Sequence, residues 1–195
     1  MNVAVYSGSF NPLHIGHLAI IKYMIEVAGF DMVYLIVSPK NPLKDSISSD
    51  SGTDRYNAAL EAVNRHFPAK TDLEVCHLQQ VIVDNIELNM PEPHYTIKTL
   101  DALRHREPDN NFTFIMGADN LADIRRWKDY SRILSEFGAA VYPRDGFNLE
   151  TIRQDLLNEN PAYNIQIINA PMVNISSTEI REAISRGEDV SHLLM

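Results

Sequence analysis

Two histidines three positions apart, His14 and His17, follow the run Ser7-Gly8-Ser9-Phe10-Asn11-Pro12-Leu13 and open a segment whose apolar residues Leu18, Ile21 and Ile25 have helical spacing. Imidazoles at that spacing lie on one face of a helix and can reach one ligand. Ahead of them, Met1-Asn2-Val3-Ala4-Val5-Tyr6 has the make-up of a short apolar strand. A strand, a glycine-containing turn and a helix start together form an anion site. Unpaired N–H groups and the positive end of the helix dipole both point at whatever sits there. The arrangement suggests chemistry at phosphate.

A second cluster, Ile175-Ser176-Ser177-Thr178-Glu179-Ile180-Arg181, begins a late helix. Ser176 and Glu179 have the spacing of a capping box, and by residue type alone the segment is a well-capped helix start. Between the clusters, Gly117-Ala118-Asp119-Asn120 follows the apolar run 112–116, and Trp127 is the single tryptophan. His66, His77, His94, His105 and His192 show no metal-ligand spacing and are read as structural. Asp101 and Glu107 are assigned to a solvated helix face. No Ser-His-Asp or Cys-His set is suggested.

These residues need elements to position them. Residues 32–37 form a continuous apolar run ended by Ser38-Pro39, as expected of a strand buried on both faces. Strand, helix and strand within so short a stretch make a right-handed parallel βαβ unit. Residues 40–52 have loop composition, 54–66 helical spacing through Tyr56, Leu60 and Val63, and 73–78 the alternation of a strand. Residues 81–83 suit a short edge strand, 95–106 a helix with Thr96 as N-cap, and 112–116 a buried strand followed at once by a helix. Helices over 131–137 and 149–159, strands over 138–142 and 165–168, and a last helix from Ser176 that Gly187 ends complete the pattern. The alternation predicts an α/β fold: a doubly wound, mostly parallel sheet of five to six strands with helices on both faces, in a single domain over 1–195. In such sheets a ligand sits beyond the carboxyl ends of the strands where strand order reverses. The loops carrying the paired histidines and Gly117-Ala118-Asp119 are the natural walls of that crevice.

Composition excludes several classes. A formal charge of −9 argues against a nucleic-acid binder, although a few placed cations and dipoles can still hold a small anion. The single cysteine, Cys76, rules out an internal disulfide and a cysteine-rich zinc site, and a reduced, cytoplasmic setting is the default. No apolar run has transmembrane length, and Met1 leads straight into a core strand.

Residues 8–17, Gly-Ser-Phe-Asn-Pro-Leu-His-Ile-Gly-His, resemble the G-[ST]-F-[DN]-P-x-H-x-G-H signature of the nucleotidyltransferase superfamily, and residues 175–181 resemble its other signature, I-S-S-T-x-[IV]-R. The resemblance implies a Rossmann-like nucleotidyltransferase fold, with His14, His17 and Arg181 acting on a transferring phosphorus. It implies an ATP site drawn from Gly8, Ser9, Phe10, His17, Gly117, Asp119, Ile175, Ser176, Ser177, Thr178 and Arg181. Residues 114–121 with Trp127 are similar to the [FI]-I-x-G-[AQ]-D-x-L…W stretch of nicotinate-nucleotide adenylyltransferases, residues 94–100 to their S-Y-T-x-D-T-L, residues 39–44 to N-x-P-x-K, and residues 143–146 to the place of R-P-G. From this resemblance Trp127 would stack on a pyridine ring, while Thr96 and the backbone near Trp127 and Lys128 would read its carboxylate. Asn41, Lys44 and Arg144 would hold the mononucleotide, the two cations at its phosphate. Asp119 would hold ribose or help position Mg2+.

The reaction implied is transfer of AMP from ATP to nicotinate mononucleotide, with Mg2+ accompanying ATP and no dedicated metal site in the protein. Partners would be these small molecules, with no nucleic acid or membrane; a homo-oligomer is left open. Three features depart from the family pattern: Lys98 stands for an acid, Asp145 follows Arg144 where proline is usual, and the tail from Ser191 lacks the proline, the Tyr–Ile pair and the final helix that commonly follow. The alternatives are another HxGH enzyme, acting on nicotinamide mononucleotide, phosphopantetheine or FMN, and a non-catalytic nucleotide-binding protein of the same fold.

Overall fold

Val3, Ala4 and Val5 are fully buried because the first strand is an inner one with helices against both faces. The structure is a computed structural model, and it describes residues 1–39, 51–68, 80–171, 173 and 175–195. Six parallel strands, β1 (Asn2–Gly8), β2 (Met32–Val37), β3 (Val81–Asp84), β4 (Asn111–Gly117), β5 (Ala139–Tyr142) and β6 (Ile165–Ile167), form one sheet in the order β3-β2-β1-β4-β5-β6. The chain steps outward from β1 to β3, then returns to the other side of β1 as β4. Strand order therefore reverses between β1 and β4, and the crevice opens there.

Alternate residues of each strand feed two cores. Ala4, Tyr6, Val33 and Leu35 pack with α1 (Ile15–Glu26) and α2 (Gly52–His66). Val3, Val5, Tyr34, Phe112 and Phe114 pack with α3 (Thr96–Arg106), α4 (Ala118–Ala122), the turn that follows α5 (Tyr130–Arg132) and α6 (Leu149–Glu159). The last helix, α7 (Ser177–Ser185), has a small core of its own from Ile180, Ala183 and Val190.

Several local expectations are corrected. Residues 40–50 and 69–79 lie outside the described residues, and with them most of the 40–52 loop and the strand expected over 73–78. On α2 the buried face is Arg55, Ala59, Ala62 and Val63, while Leu60 is on the solvent side. Thr96 is the first helical residue of α3; its N-cap is Tyr95, with no side-chain cap. The helix expected over 131–137 is the short α5 followed by a π turn, Ile133–Phe137, closed by Gly138 N–H on the Ile133 carbonyl at 2.9 Å. Glu107 is not simply solvated, because it accepts from the Tyr34 hydroxyl at 2.8 Å. His94 is buried, whereas His66, His105 and His192 are exposed.

Candidate active site

Past the last β1–β4 pair, Tyr6 with Ile115, β1 ends in a tight turn and β4 runs directly into α4. Phe10 takes a left-handed φ of 44°, and its ring stands edge-on to Tyr6 at 5.5 Å and to His17 at 5.2 Å. A Cβ on Gly8 would lie 3.1 Å from that ring, which explains the glycine. The Ser9 and Phe10 N–H groups donate to no group among the described residues, so the turn presents open donors.

His14 is the N-cap of α1. Its Nδ1 accepts from the Gly16 N–H at 3.2 Å, and its own N–H donates to His17 Nδ1 at 3.2 Å. A ring nitrogen that accepts carries no proton, so each neutral imidazole holds its proton on Nε2. Burial, then the charge of Arg144, lowers His14 to about 4 against the opposing pull of Glu179. Burial, then His14 and Arg144, holds His17 well below the usual histidine range. The rings lie 3.8 Å apart, a distance two imidazolium ions would not tolerate. The pair is therefore two neutral N–H donors. α1 has no acid in its first turn, so the positive end of its dipole is not offset there.

This arrangement links stability to pH. An unfolded histidine titrates near 6.5 and His14 in the fold near 4, so between those values the unfolded chain holds more protons. The contribution of His14 is complete above about pH 6.5 and is lost as pH falls through 4. The melting temperature is expected to drop across that window, and to drop less steeply in His14→Gln. Equal slopes for the two proteins in a calorimetric pH series would exclude this origin.

The second cluster meets the first. Ser177 Oγ donates to the Pro12 carbonyl at 3.0 Å, and Arg181 Nη1 to the Asn11 carbonyl at 2.7 Å. A Cβ on Gly16 would stand 3.0 Å from the His14 ring and 3.5 Å from the Ile175 side chain. Ser176 and Glu179 form the expected capping box, Glu179 N–H to Ser176 Oγ at 3.2 Å and Ser176 N–H to Glu179 Oε2 at 2.7 Å. The cap occupies the Ser176 hydroxyl. The first-turn N–H groups of Ser177 and Thr178 remain for a ligand, since an α-helix gives them no internal partner. Arg181 also donates to Thr178 Oγ1 at 3.1 Å. The tail contributes as well: Met195 N–H donates to the Leu13 carbonyl at 3.3 Å, Leu194 bridges His14, and the Met195 side chain is buried in the core that holds α1.

The opposite wall comes from β4 and β5. Arg144 stacks over the Tyr142 ring at 5.1 Å, and its Nε lies 3.9 Å from Asp119 Oδ1. A Cβ on Gly117 would stand 2.3 Å from that carboxylate oxygen and 3.3 Å from Arg144 Nε, so the glycine makes room for both. The cleft between the walls is lined by Tyr6, His14, His17, Tyr142, Arg144 and Ile175, among others.

Trp127 lines a different cavity of about 600 Å3, with Tyr95, Arg125, Arg126, Lys128 and Tyr130. Its ring also packs on Phe114 at 5.9 Å, so it is both a core neighbour and a wall. Thr96 follows the wall residue Tyr95 at the start of α3. Lys98 bonds back to the Pro93 carbonyl at 3.3 Å and lies over the Tyr95 ring, which brings a cation to the same helix end. Asn41 and Lys44 lie outside the described residues.

The sequence model of the cytidylyltransferase-like family matches residues 5–183. A protein of Flavobacterium psychrophilum named "Probable nicotinate-nucleotide adenylyltransferase" is 39% identical over 194 residues, covering 100% of this chain and 92% of the relative. The chain belongs to the nicotinate-nucleotide adenylyltransferase family. A relative of the same name from Bacteroides fragilis is 36% identical over 190 residues, with 97% of this chain and 85% of the relative covered. In fold, the chain is similar to Plasmodium falciparum nicotinic acid mononucleotide adenylyltransferase complexed with NaAD, with a TM-score of 0.74 at 19% identity, over 97% of this chain and 87% of that one. The Rossmann-like nucleotidyltransferase fold expected of this family is the one observed.

Some residues of the site have no place in the family signatures. Tyr6 and Tyr142 bring their hydroxyls within 3.4 Å of each other, and burial pushes the Tyr6 hydroxyl well above the usual tyrosine range, so it stays protonated. Arg55 is buried beneath the turn that follows β1. Arg55 shares a buried helical stripe with Ala59, Ala62 and Val63, but in the sequence its charge reads as a solvated position.

Proposed function

We propose that the cleft between the two signatures joins the phosphate of nicotinate mononucleotide to the α-phosphorus of ATP, within a single domain over 1–195. A mononucleotide phosphate oxygen attacks, a new P–O bond forms, and the bond to the bridging oxygen of the β-phosphate breaks. Pyrophosphate leaves, and nicotinate adenine dinucleotide remains. The observation that carries this reading is the convergence of residues 8–17 with 175–181 through Arg181–Asn11 and Ser177–Pro12, around two imidazoles held neutral.

A phosphate monoester has its second pKa near 6, so the attacking oxygen is already unprotonated at neutral pH and needs no general base. What the reaction needs is position and charge stabilisation. Nε2–H of His14 and His17, the Ser9 and Phe10 amides, the N-terminus of α7 and the Arg181 guanidinium supply donors for the phosphate oxygens, and the α1 dipole adds positive potential. Gly8, Gly117, Asp119, Ile175, Ser176, Ser177 and Thr178 complete the ATP subsite, and Asp119 suits ribose hydroxyls. Arg144 would take the mononucleotide phosphate together with Asn41 and Lys44. Trp127 would stack on the pyridine ring, and the start of α3 with the backbone near Lys128 would receive its carboxylate. Arg125, Arg126 and Lys128 line that end, each paired with a carboxylate (Glu159, Asp123 and Asp129), and Lys98 stands over the Tyr95 ring at the start of α3.

Mg2+ would bind chiefly through the nucleotide phosphates, with Asp119 as the protein carboxylate. Bound there, the ion would lessen repulsion between the two anionic substrates.

Pyrophosphate release with ATP, Mg2+ and either mononucleotide tests the reading. Nicotinate mononucleotide is expected to exceed its amide by at least about tenfold in kcat/KM, since a mismatch at polar partners costs upward of ~1.4 kcal/mol. ATP binding with no pyrophosphate release from any mononucleotide would instead support a non-catalytic nucleotide-binding protein.

A further inference from the structure

We infer that Arg55 is the positioning residue that fixes the shape of the phosphate-binding turn. Its side chain leaves the fourth position of α2 and is 5% exposed. Nη1 donates to the Ser9 and Ser38 carbonyls at 2.7 Å each, and Nη2 to the Pro39 carbonyl at 2.8 Å. Ser9 belongs to the turn after β1; Ser38 and Pro39 belong to the segment after β2. One guanidinium therefore holds two strand-end loops against each other, and the Ser38 N–H to Gly8 carbonyl bond at 2.9 Å closes the same seam.

The chemistry explains why the turn needs this. Phe10, the residue after Ser9, sits at φ 44°, a conformation that a bulky side chain holds only when its surroundings impose it. The bond from Arg55 fixes the Ser9 carbonyl, and the amide on the other side of that peptide, Phe10 N–H, is one of the open donors. A cationic donor on the carbonyl also polarises the peptide, which makes its N–H a stronger donor to an anion. The planar fork of arginine can serve three acceptors at fixed angles, and the point charge of lysine cannot. Arg55 thus acts through the backbone of residues 9 and 10, without touching substrate. The inference rests on the reading of the cleft as an adenylyl-transfer site, and it adds the group that shapes one wall of that site.

The test uses the full chain with Arg55→Met, which keeps the packing stem, and Arg55→Lys, which keeps the charge. Both are expected to stay folded, to lose at least about tenfold in kcat and to raise KM for ATP, with KM for the mononucleotide changed less. Amide NMR shifts of Ser9 and Phe10 should move in both variants with no substrate present. Guanidinium ion added to Arg55→Ala should recover part of the lost rate. Should Arg55→Met unfold, Arg55→Lys alone decides. Unfolding of both variants, or a folded Arg55→Lys whose kcat and KM for ATP stay within twofold of wild type, overturns the inference and leaves Arg55 a packing residue. Wild-type activity is the control: its absence would refute the adenylyl-transfer reading, while the Ser9 and Phe10 shifts would still report on Arg55.

Discussion

Replacing His17 with alanine is expected to lower kcat by about two to three orders of magnitude, the usual effect of removing one preorganised donor from developing charge. His17 has two roles, and the experiment can separate them. Its Nε2–H is assigned to the phosphate oxygens, while its Nδ1 accepts from the His14 N–H at 3.2 Å and completes the start of α1. Losing a helix-start bond costs about 1 kcal/mol, which for a chain of this size lowers the melting temperature by only a few degrees. Turnover at saturating substrates and a melting curve together give the answer. A large drop in kcat with a small drop in melting temperature supports the donor role, and His17→Asn, which keeps an N–H at shorter reach, should fall between. A kcat within threefold of wild type would remove His17 from the mechanism.

Arg181→Ala is the second large effect. The side chain is exposed, so its removal should leave the melting temperature nearly unchanged. The guanidinium bonds the Asn11 carbonyl and Thr178 Oγ1, which holds it at the seam between the two signatures. Two charge-assisted bonds to phosphate at about 1.5 to 3 kcal/mol each predict a loss of at least about a hundredfold in kcat/KM for ATP. Arg181→Lys keeps the charge without the planar fork and should recover only part of that loss. Pyrophosphate release across an ATP titration measures both, and an alanine variant within threefold of wild type would place Arg181 outside the ATP subsite.

Much of this was legible in the sequence, because the signals are local. The continuous apolar run of β2 announced a strand covered on both faces, and the capping box of α7 stood at the predicted pair, Ser176 and Glu179. Where sequence reading missed, packing decided. Thr96 has the chemistry of an N-cap, yet Tyr95 takes that position because α3 begins where Ile97 and Leu100 meet the sheet. Leu60 suited the buried stripe of α2, but the helix turns Arg55, Ala59 and Ala62 inward instead. A charged residue on that stripe is counted as a polar interruption until its carbonyl partners among the described residues are seen.

By itself the sequence determined what neighbouring residues can settle: the strands β1 to β6, the turn at Gly8 and the capping box that starts α7. Backbone sterics, side-chain period and capping act within a few residues, so they can be read in one dimension. Only the tertiary structure decided that Arg181 reaches the Asn11 carbonyl across 170 positions and that Met195 docks on Leu13. It likewise decided that Arg144 shares a cleft with the two imidazoles. The return of β4 to the open side of β1 sets which loops become neighbours, and that choice is made by burying the whole sheet at once.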